Sequence, residues 1–464
     1  MIERANARLV RILDQLETPA AAWSHLARAF LLALVFLLAP LSHAVHPATR
    51  TLVILHTNDT HAHTLPDGRG VGGYAAISGY LKGVKAQRSD VLVLDAGDMI
   101  TGTPVSTLYE GMPVFDILNT LPIDCAVLGN HEFDHGWQKI AGFRRLARFP
   151  ILCANVFSPT GELLGDAPTF FTTVNGIRIG VIGVTAPDLY AITATRGHQG
   201  LTVQDQVVAV RRHLPDVRQR ADLVIVLSHC GVGQDLRLAR EVPDIDVIVG
   251  GHSHTQLDQP ELVGKTIVVQ AKCYSEYVGR LDLVVDVPGR RVAEYGGRLV
   301  RMDGRIGPPD PTTAAVVEKY ERDLRRTLDA VVGRTDAALD KAALVRAFEA
   351  IFAQKYDADF GHYQPGGNRA TLSPGRITKR NVYEMLPFDN AMVVVEVTAE
   401  QLATLFNKQA PEGKRGPFRV ATVDFYADRM VESGRLAEEQ VTRYPAQARA
   451  VVLEHVQRTG GLAP

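Results

Sequence analysis

The sequence predicts a layered α/β fold, an αββα sandwich, followed by a second, smaller α/β domain. Three observations carry this. From Thr51 onward, short apolar runs rich in β-branched residues alternate with amphipathic segments. Polar clusters of Asp, His and Asn follow five of those runs. A Pro/Gly break at residues 305–311 then divides the chain.

Taken in order, Thr51-Leu52-Val53-Ile54-Leu55 and Val91-Leu92-Val93-Leu94 read as buried strands, as does the run from Cys125 to Leu128. Ile177 to Val184, Leu223 to Leu227 and Ile245 to Val249 continue the series. Unbroken Val/Ile/Leu runs suit strands covered on both faces. Between them, Ala75 to Gln87, Trp137 to Arg148 and Val203 to Arg220 have helical spacing. Thr266 to Ala271 and Arg280 to Val287 read as the closing, partly antiparallel part of the same sheet system. These elements make a first domain over residues 45–304. A charged helix from Thr312 to Val331, with Lys319, Glu321, Arg322, Asp323 and Arg326 on its exposed face, forms a linker over 305–331. A second domain occupies 332–464, with a helix over Lys341 to Gln354, a Pro/Gly loop at Gln364 to Asn368, and strands over Met392 to Val397 and Phe418 to Phe425. The tail from Val441 to Val456 is expected to be helical.

The first 44 residues read as an export signal or N-terminal anchor. An apolar run from Ala29 to Leu41 follows Arg28 and leads to Ser42-His43-Ala44, a small-x-small cleavage site. A periplasmic or extracellular location follows, with retention of the anchor as the alternative. The 464 residues carry 50 Lys and Arg against 51 Asp and Glu, so the chain lacks the basic footprint of a nucleic-acid binder. Four cysteines without CxxC spacing exclude a disulfide scaffold, although one bridge is open.

The chemistry is concentrated just past the strand ends. The first strand leads into Asn58-Asp59-Thr60-His61 and the second into Asp95-Ala96-Gly97-Asp98. Cys125 to Leu128 leads into Gly129-Asn130-His131, followed by Glu132-Phe133-Asp134. Leu223 to Leu227 leads into Ser228-His229, and Ile245 to Val249 into Gly250-Gly251-His252-Ser253-His254. In an open α/β sheet the carboxyl ends of the strands form the ligand crevice, so these clusters are expected to converge. Asp59, His61, Asp98, Asn130, His229, His252 and His254 offer oxygen and imidazole donors without a thiolate. Seven such donors with one bridging carboxylate suit two divalent ions, of which Mn, Zn, Fe and Co all accept this ligand chemistry. Two ions about 3.5–4 Å apart can clamp a displacement at phosphorus. The glycines at 97, 129, 250 and 251 are expected to allow tight turns at these ends. His131 can supply a proton or charge, with Asp134 fixing its tautomer.

The order Asp-x-His, Gly-Asp, Gly-Asn-His-Glu-Phe-Asp, Ser-His and Gly-His-Ser-His resembles the calcineurin-like metallophosphoesterases. Within these it is most similar to the bacterial 5′-nucleotidase and UDP-sugar hydrolase family. The resemblance implies that Asp59, His61, Asp98 and His254 hold one ion, and that Asp98, Asn130, His229 and His252 hold the other. It further implies that His131, oriented by Asp134, stabilises charge on the phosphoryl group. The implied reaction is hydrolysis of a nucleotide phosphomonoester, in which a metal-bridging hydroxide attacks phosphorus and phosphate is released.

The second domain resembles the family's nucleotide-recognition domain. Gln364-Pro365-Gly366-Gly367-Asn368-Arg369 stands where the family has Asn-Gly-Gly-Gly-Ile-Arg, matching at Gly366, Gly367 and Arg369. By that resemblance Arg369 contacts phosphate, where a guanidinium fork suits an oxyanion. Ile377 to Asn390 also follows the family's pattern. A stretch after Phe406 is shorter than the family's, and Ala427-Asp428-Arg429-Met430-Val431 replaces its Gly-Gly-Asp-Gly-Tyr loop. This leaves other substrates open: a sugar phosphate, a cyclic nucleotide, a UDP-sugar or a thiosulfohydrolase-type ester. A metal-binding pseudoenzyme is a further alternative.

His56, His63, His135, His198, His213 and His362 fit no ligand spacing and read as structural or exposed, with His63 and His135 near enough to line the cleft. Glu132 is expected to fix its loop. Tyr109, Tyr190, Phe388 and Tyr426 could stack on a base but read more naturally as core. Arg334 reads as a solvated surface residue and Cys230 as packing.

Overall fold

The computed structural model describes residues 49–463. The export signal or anchor expected over residues 1–44 lies outside them. Among the described residues no helix is long and apolar enough to cross a membrane.

Fourteen strands precede residue 302. They are β1 (Thr49–Thr57), β2 (Val91–Asp95), β3 (Cys125–Val127), β4 (Ile151–Leu152), β5 (Val156–Phe157), β6 (Thr169–Val174) and β7 (Ile177–Thr185). They continue with β8 (Thr202–Val203), β9 (Leu223–His229), β10 (Val247–Gly250), β11 (Glu261–Val263), β12 (Thr266–Val269), β13 (Tyr277–Asp286) and β14 (Arg291–Arg301). One six-stranded sheet has the order β14-β13-β1-β2-β3-β4 and a second has β11-β12-β10-β9-β7-β6. The neighbours β1 to β4 are parallel, as are β7, β9, β10 and β12.

Alternation along the strands builds the layers. On β1, Leu52 and Ile54 face the second sheet and pack with Ile179, Leu227 and Val249. Val53 and Leu55 point the other way, onto Tyr74, Ile77, Phe115 and Phe143. On β9, Val224 and Val226 face the helices Gln206–Arg220 and Val232–Glu241. Both faces of each sheet are therefore apolar, which is why the strands read as unbroken Val/Ile/Leu runs. Full burial of each such side chain contributes roughly 1.5–3 kcal/mol.

The strands on either side of the loop at 271–276 divide between the two sheets. The strand at Thr266 extends the second sheet in parallel with β10, whereas β13 crosses to the first sheet and pairs antiparallel with β1. The closing strands thus belong to two sheets instead of one. The four thiols are free and buried, so the bridge left open by the cysteine count is absent.

The helix Pro311–Leu328 is capped by Asp310, which accepts from Thr313 N–H at 2.8 Å and pairs with Lys82. Val317, Leu324 and Leu328 enter the same core as Tyr74. Glu321, expected on the exposed face, is buried and pairs with Arg380 Nη1 at 3.0 Å. A charge-rich pattern did not reveal that the second half of the chain would cover that helix face.

The remaining strands are β15 (Val331–Thr335), β16 (Phe360–Gly361), β17 (Gly375–Thr378), β18 (Ala391–Val397), β19 (Phe418–Val423) and β20 (Val441–Gln447). A four-stranded sheet, β16-β19-β18-β20, packs against the helices Lys341–Lys355 and Ala448–Thr459. The tail expected to be helical from Val441 is corrected here. Val441 to Gln447 pairs antiparallel with β18, and the helix begins at Ala448. Pro445 would disfavour a helix interior, yet it is tolerated on this edge strand.

Candidate metal and phosphoryl site

The parallel strands of both sheets end at one edge, and the five polar clusters meet there. Backbone bonds splice their loops together. Asp59 N–H donates to Gly97 O at 2.9 Å and His61 N–H to Asp98 O at 2.9 Å. His252 N–H donates to the Asp59 carboxylate at 2.9 Å. Gly97 adopts a left-handed φ of +86°, as a tight turn requires. Gly129 serves another purpose: a Cβ there would lie 2.2 Å from Asp98 Oδ1. Gly250 and Gly251 likewise allow close approach, to Asp235 and to Ala96 O, and neither has positive φ. The expected glycine turns reduce to one turn and three close approaches.

Five side chains of the cluster sit on left-handed backbone without being glycine: Asp59 (φ 49°), His61 (47°), Asp98 (54°), His252 (74°) and His254 (53°). Each such residue costs of order 1–3 kcal/mol, a cost that persists where surrounding structure imposes it. Such a concentration on one set of polar residues belongs to a working site.

All seven donors named from the sequence converge. His254 Nε2 lies 2.9 Å from His61 Nε2 and 3.4 Å from Asp59 Oδ1. His61 Nε2 is 3.9 Å from both Asp59 Oδ1 and Asp98 Oδ2. Asp98 Oδ2 is 3.1 Å from His229 Nε2, and Asn130 Oδ1 is 3.3 Å from His229 Nε2 and 2.8 Å from His252 Nδ1. Asp59, His61 and His254 could hold a metal ion as one group, and Asp98, His229 and His252 as another. Asp98 lies between them, with its Oδ2 facing both His61 and His229.

The donor set fits a metal on chemical grounds. His61 Nδ1 is 3.0 Å from Thr101 O and His229 Nδ1 is 2.6 Å from Ala96 O. A carbonyl only accepts, so each Nδ1 carries the proton and each Nε2 turns a lone pair into the cluster. A lone pair facing a carboxylate is repulsive unless a cation stands between them. The field of the site agrees. Burial would lower the His229 pKa, but the Asp98 and Asp59 carboxylates raise it to about 10. Burial would raise the Asp98 carboxyl, and His229 and His131 hold it well below the usual range. At His229 the pocket favours positive charge, while burial keeps His61 and His252 neutral, the form in which an imidazole binds a metal ion.

Asn58, not singled out from the sequence, braces Asp59: its Nδ2 donates to Asp59 Oδ2 at 2.6 Å while its Oδ1 accepts from Ala271 N–H at 2.8 Å. Glu132 fixes its loop. Its buried carboxylate accepts from Gly129 N–H (2.7 Å), Met99 N–H (2.9 Å), Asp98 N–H (3.1 Å) and Ile100 N–H (3.3 Å). Behind His229, Asp235 accepts from Ser228 Oγ at 2.5 Å and burial pushes its carboxyl up to about 7. A raised carboxyl stabilises the fold fully below its unfolded value of 3.8, and that contribution is lost as pH rises through about 7. Asp235→Asn, neutral throughout, is therefore expected to gain melting temperature relative to the native protein between pH 4 and 7. A difference independent of pH would contradict this.

His131 stands beside the donors and binds two partners of another kind. Its Nδ1 is 2.7 Å from Asp134 Oδ2, and its Nε2 is 2.9 Å from Arg369 Nη2 in the second half of the chain. Burial would lower the His131 pKa, but Asp134 and Asp98 outweigh it and raise it. Phe388 stacks on the His131 ring at 5.7 Å and lies under the Arg369 guanidinium at 5.3 Å. Gly366 lines the same cavity, of about 460 Å³, as Asp98, His131, His252 and His254. Gly367 is buried beneath it, where a Cβ would meet the Tyr363 ring at 2.7 Å.

The remaining histidines stand outside the donor cluster. His56 and His198 are buried, the latter against Thr193 Oγ1 at 2.9 Å, and His63 packs on Tyr274 at 4.5 Å. His135 lines the cavity. Of the aromatics considered for stacking, only Phe388 lines the cavity. Tyr426 donates to Leu405 O at 2.5 Å and Tyr190 to Leu201 O at 2.6 Å, while Tyr109 lies in a separate groove. Phe425 and Arg429 were missed. They line the cavity from the helix Asp424–Glu432, which stands in place of the family's Gly-rich loop. Their i,i+4 spacing was the signal.

Residues 52–256 match the family described as calcineurin-like phosphoesterase, and residues 326–439 the 5′-nucleotidase C-terminal domain. Protein 5NUC of Lutzomyia longipalpis is 29% identical over 423 residues, covering 78% of this chain and 73% of that protein. A 5′-nucleotidase of Vibrio cholerae is 27% identical, covering 77% and 75% respectively. The crystal structure of a 5′-nucleotidase precursor from Thermus thermophilus superposes with a TM-score of 0.80 at 26% identity, covering 89% of this chain and 98% of that one. With both matched stretches together spanning more than half of the sequence, the chain belongs to the metallophosphoesterase hydrolases of the 5′-nucleotidase family, a calcineurin-like phosphoesterase fold joined to a 5′-nucleotidase C-terminal domain.

Proposed function

We propose that the protein hydrolyses nucleoside 5′-monophosphates to nucleoside and phosphate with two divalent ions. Asp59, His61, Asp98 and His254 would hold one ion, and Asp98, Asn130, His229 and His252 the other. When bound, the ions (Mn, Zn, Fe or Co) supply Lewis acidity at the phosphoryl oxygens and acidify a water to the nucleophile. The observation that carries the reading is the contact between His131 Nε2 and Arg369 Nη2 at 2.9 Å. It brings the phosphate-type guanidinium of one half of the chain against the donor cluster of the other.

Arginine only donates, so this contact requires a neutral His131 whose proton sits on Nδ1 toward Asp134. A phosphoryl oxygen arriving between the two would replace the contact, accepting from Arg369 and, once His131 takes up a proton at Nε2 as its raised pKa favours, from the imidazolium as well. Charge that grows on that oxygen in the transition state then faces two fixed donors in a largely buried pocket. Gly366 and Gly367 let the 364–369 loop approach closely. The nucleoside would extend along Phe388 toward Phe425. Domain limits of 45–304, 305–331 and 332–464 belong to the same reading, as does export by the N-terminal signal, which sequencing of the mature N-terminus would test.

The deciding experiment is phosphate release from AMP, UDP-glucose and a generic aryl phosphate, with added Mn²⁺ and with EDTA. AMP turnover that EDTA abolishes and Mn²⁺ restores is expected. Broad release without nucleotide preference would point to another ester, and no release to a pseudoenzyme. His131→Ala is expected to lower kcat by roughly 10²–10³ with a smaller change in KM, as for loss of one transition-state donor. Unchanged turnover in that variant would remove the role assigned to His131.

A further inference from the structure

A second cavity, of about 630 Å³, adjoins the site, and Arg369 is the one side chain among the described residues that lines both. In the first cavity its Nη2 meets His131 Nε2 at 2.9 Å. In the second it shares the wall with Lys341, His63 and Tyr274. The partition is thin: the Tyr274 ring lies 5.5 Å from the His61 ring and 5.4 Å from the His254 ring. A guanidinium carries five N–H donors in a planar fork, so donors that His131 does not engage remain for another acceptor.

Charges of both signs line the second cavity, and pairing cancels most of them. Asp67 is held by Arg69 at 2.6 Å, Glu321 and Asp329 by Arg380 at 3.0 and 2.9 Å, and Arg325 by Glu318. Burial raises the Glu384 carboxyl toward its neutral form. Lys341 and Arg369 are left over. Among the described residues neither has a carboxylate within the ion-pair distance of 4.0 Å. Partial burial, and after it the charge of Arg369, lower the pKa of the Lys341 ammonium. A cation held near another without a counter-charge is relieved by an anion between them.

We propose that the second cavity binds the inorganic phosphate released by the reaction, between Arg369 and Lys341, and that product leaves by this route while the nucleoside still fills the first cavity. The inference rests on the phosphomonoesterase reading above and gives its product a separate site. After hydrolysis the phosphate lies against Arg369 and the donor cluster, with the nucleoside along Phe388. Rotation about the Arg369 side chain breaks its contact with the His131 side of the site and turns the bound anion toward Lys341. The phosphate thus changes cavities without leaving its guanidinium, and no covalent bond is made or broken. Lys341 supplies the second positive charge there as a compact point charge, a role lysine commonly has toward phosphate.

The test is equilibrium dialysis of the Mn²⁺-loaded full chain against radiolabelled phosphate, paired with phosphate inhibition of AMP hydrolysis. Native protein is expected to bind one phosphate at the donor cluster and a further one in the second cavity. Lys341→Gln should lose one phosphate per chain, and Lys341→Arg should recover it. Inhibition should be mixed in the native protein, because phosphate in the second cavity does not displace AMP. It should become purely competitive in Lys341→Gln, where only the donor cluster still takes phosphate. The same phosphate count in native protein and Lys341→Gln overturns the proposal, and so does purely competitive inhibition of the native protein. Mixed inhibition that persists in Lys341→Gln overturns it as well. A chain that does not hydrolyse AMP overturns the underlying reading and the product role together, whereas the loss of one phosphate in Lys341→Gln would still establish the second cavity as a phosphate site.

Discussion

Asp98→Asn is expected to lower turnover by at least about 10³-fold while the fold is retained. The carboxylate faces His61 at 3.9 Å and His229 at 3.1 Å, so it stands between the two donor groups. Its Oδ1 also accepts from His131 N–H at 2.8 Å, which sets the start of the loop carrying the His131 imidazole. An amide keeps the volume and tolerates the left-handed backbone, since asparagine is among the residues that visit it readily. What it loses is the negative charge that would hold the cations of the proposed site, so metal content should fall together with rate. Metal analysis and phosphate release on the same preparation check this. Metal-free protein should melt somewhat lower than native apo-protein, because the charge that His229 and His131 stabilise is lost while the amide oxygen can keep the bond from His131 N–H. Native turnover at full metal occupancy would rule out a shared role for Asp98.

Glu132→Ala carries the largest expected effect on stability. Four buried amides, those of Asp98, Met99, Ile100 and Gly129, converge on one carboxylate. Removing it leaves them without a partner, at about 3–5 kcal/mol in all once some relaxation is allowed. A fall in melting temperature of roughly 5–10 °C follows for a chain of this size. Activity should fall too, because the same amides position Asp98 and the 129–134 loop, but added Mn²⁺ should not restore the melting temperature. The conservative Glu132→Gln would place an NH₂ group against amide donors and recover only part of the loss. A melting temperature within about 1 °C of native would show that the loop holds itself.

The two halves of the site were unequally legible in the sequence. Metal-type donors must be Asp, His or Asn at strand ends, so Asp59, His61, Asp98, Asn130, His229, His252 and His254 announce themselves by type and position. The layered fold followed from unbroken apolar runs, such as Leu223 to Leu227 on β9 and Val247 to Val249 on β10, which only burial between two layers explains. The groups lining the far side of the cavity were not legible. Phe425 and Arg429 carry no special pattern beyond i,i+4 spacing, and Arg196 is an arginine on a short surface helix. Their shared cavity depends on a contact across 238 residues of chain, that of His131 with Arg369.

By itself, then, the sequence determined the element order, the strand-end clusters and the pairing of His131 with Asp134, because each depends on local spacing and residue chemistry. Tertiary structure alone decided that Glu321 would be covered and that Val441 to Gln447 would become an edge strand. It also decided that Tyr426 packs in the core while Phe425 faces the cavity. One residue of register on a helix changes which side chain points inward, and that choice is made by what packs against the helix. The clusters at the strand ends needed no such partner to be recognised, whereas the far wall of the cavity is built from side chains whose meaning exists only once the two halves of the chain are in contact.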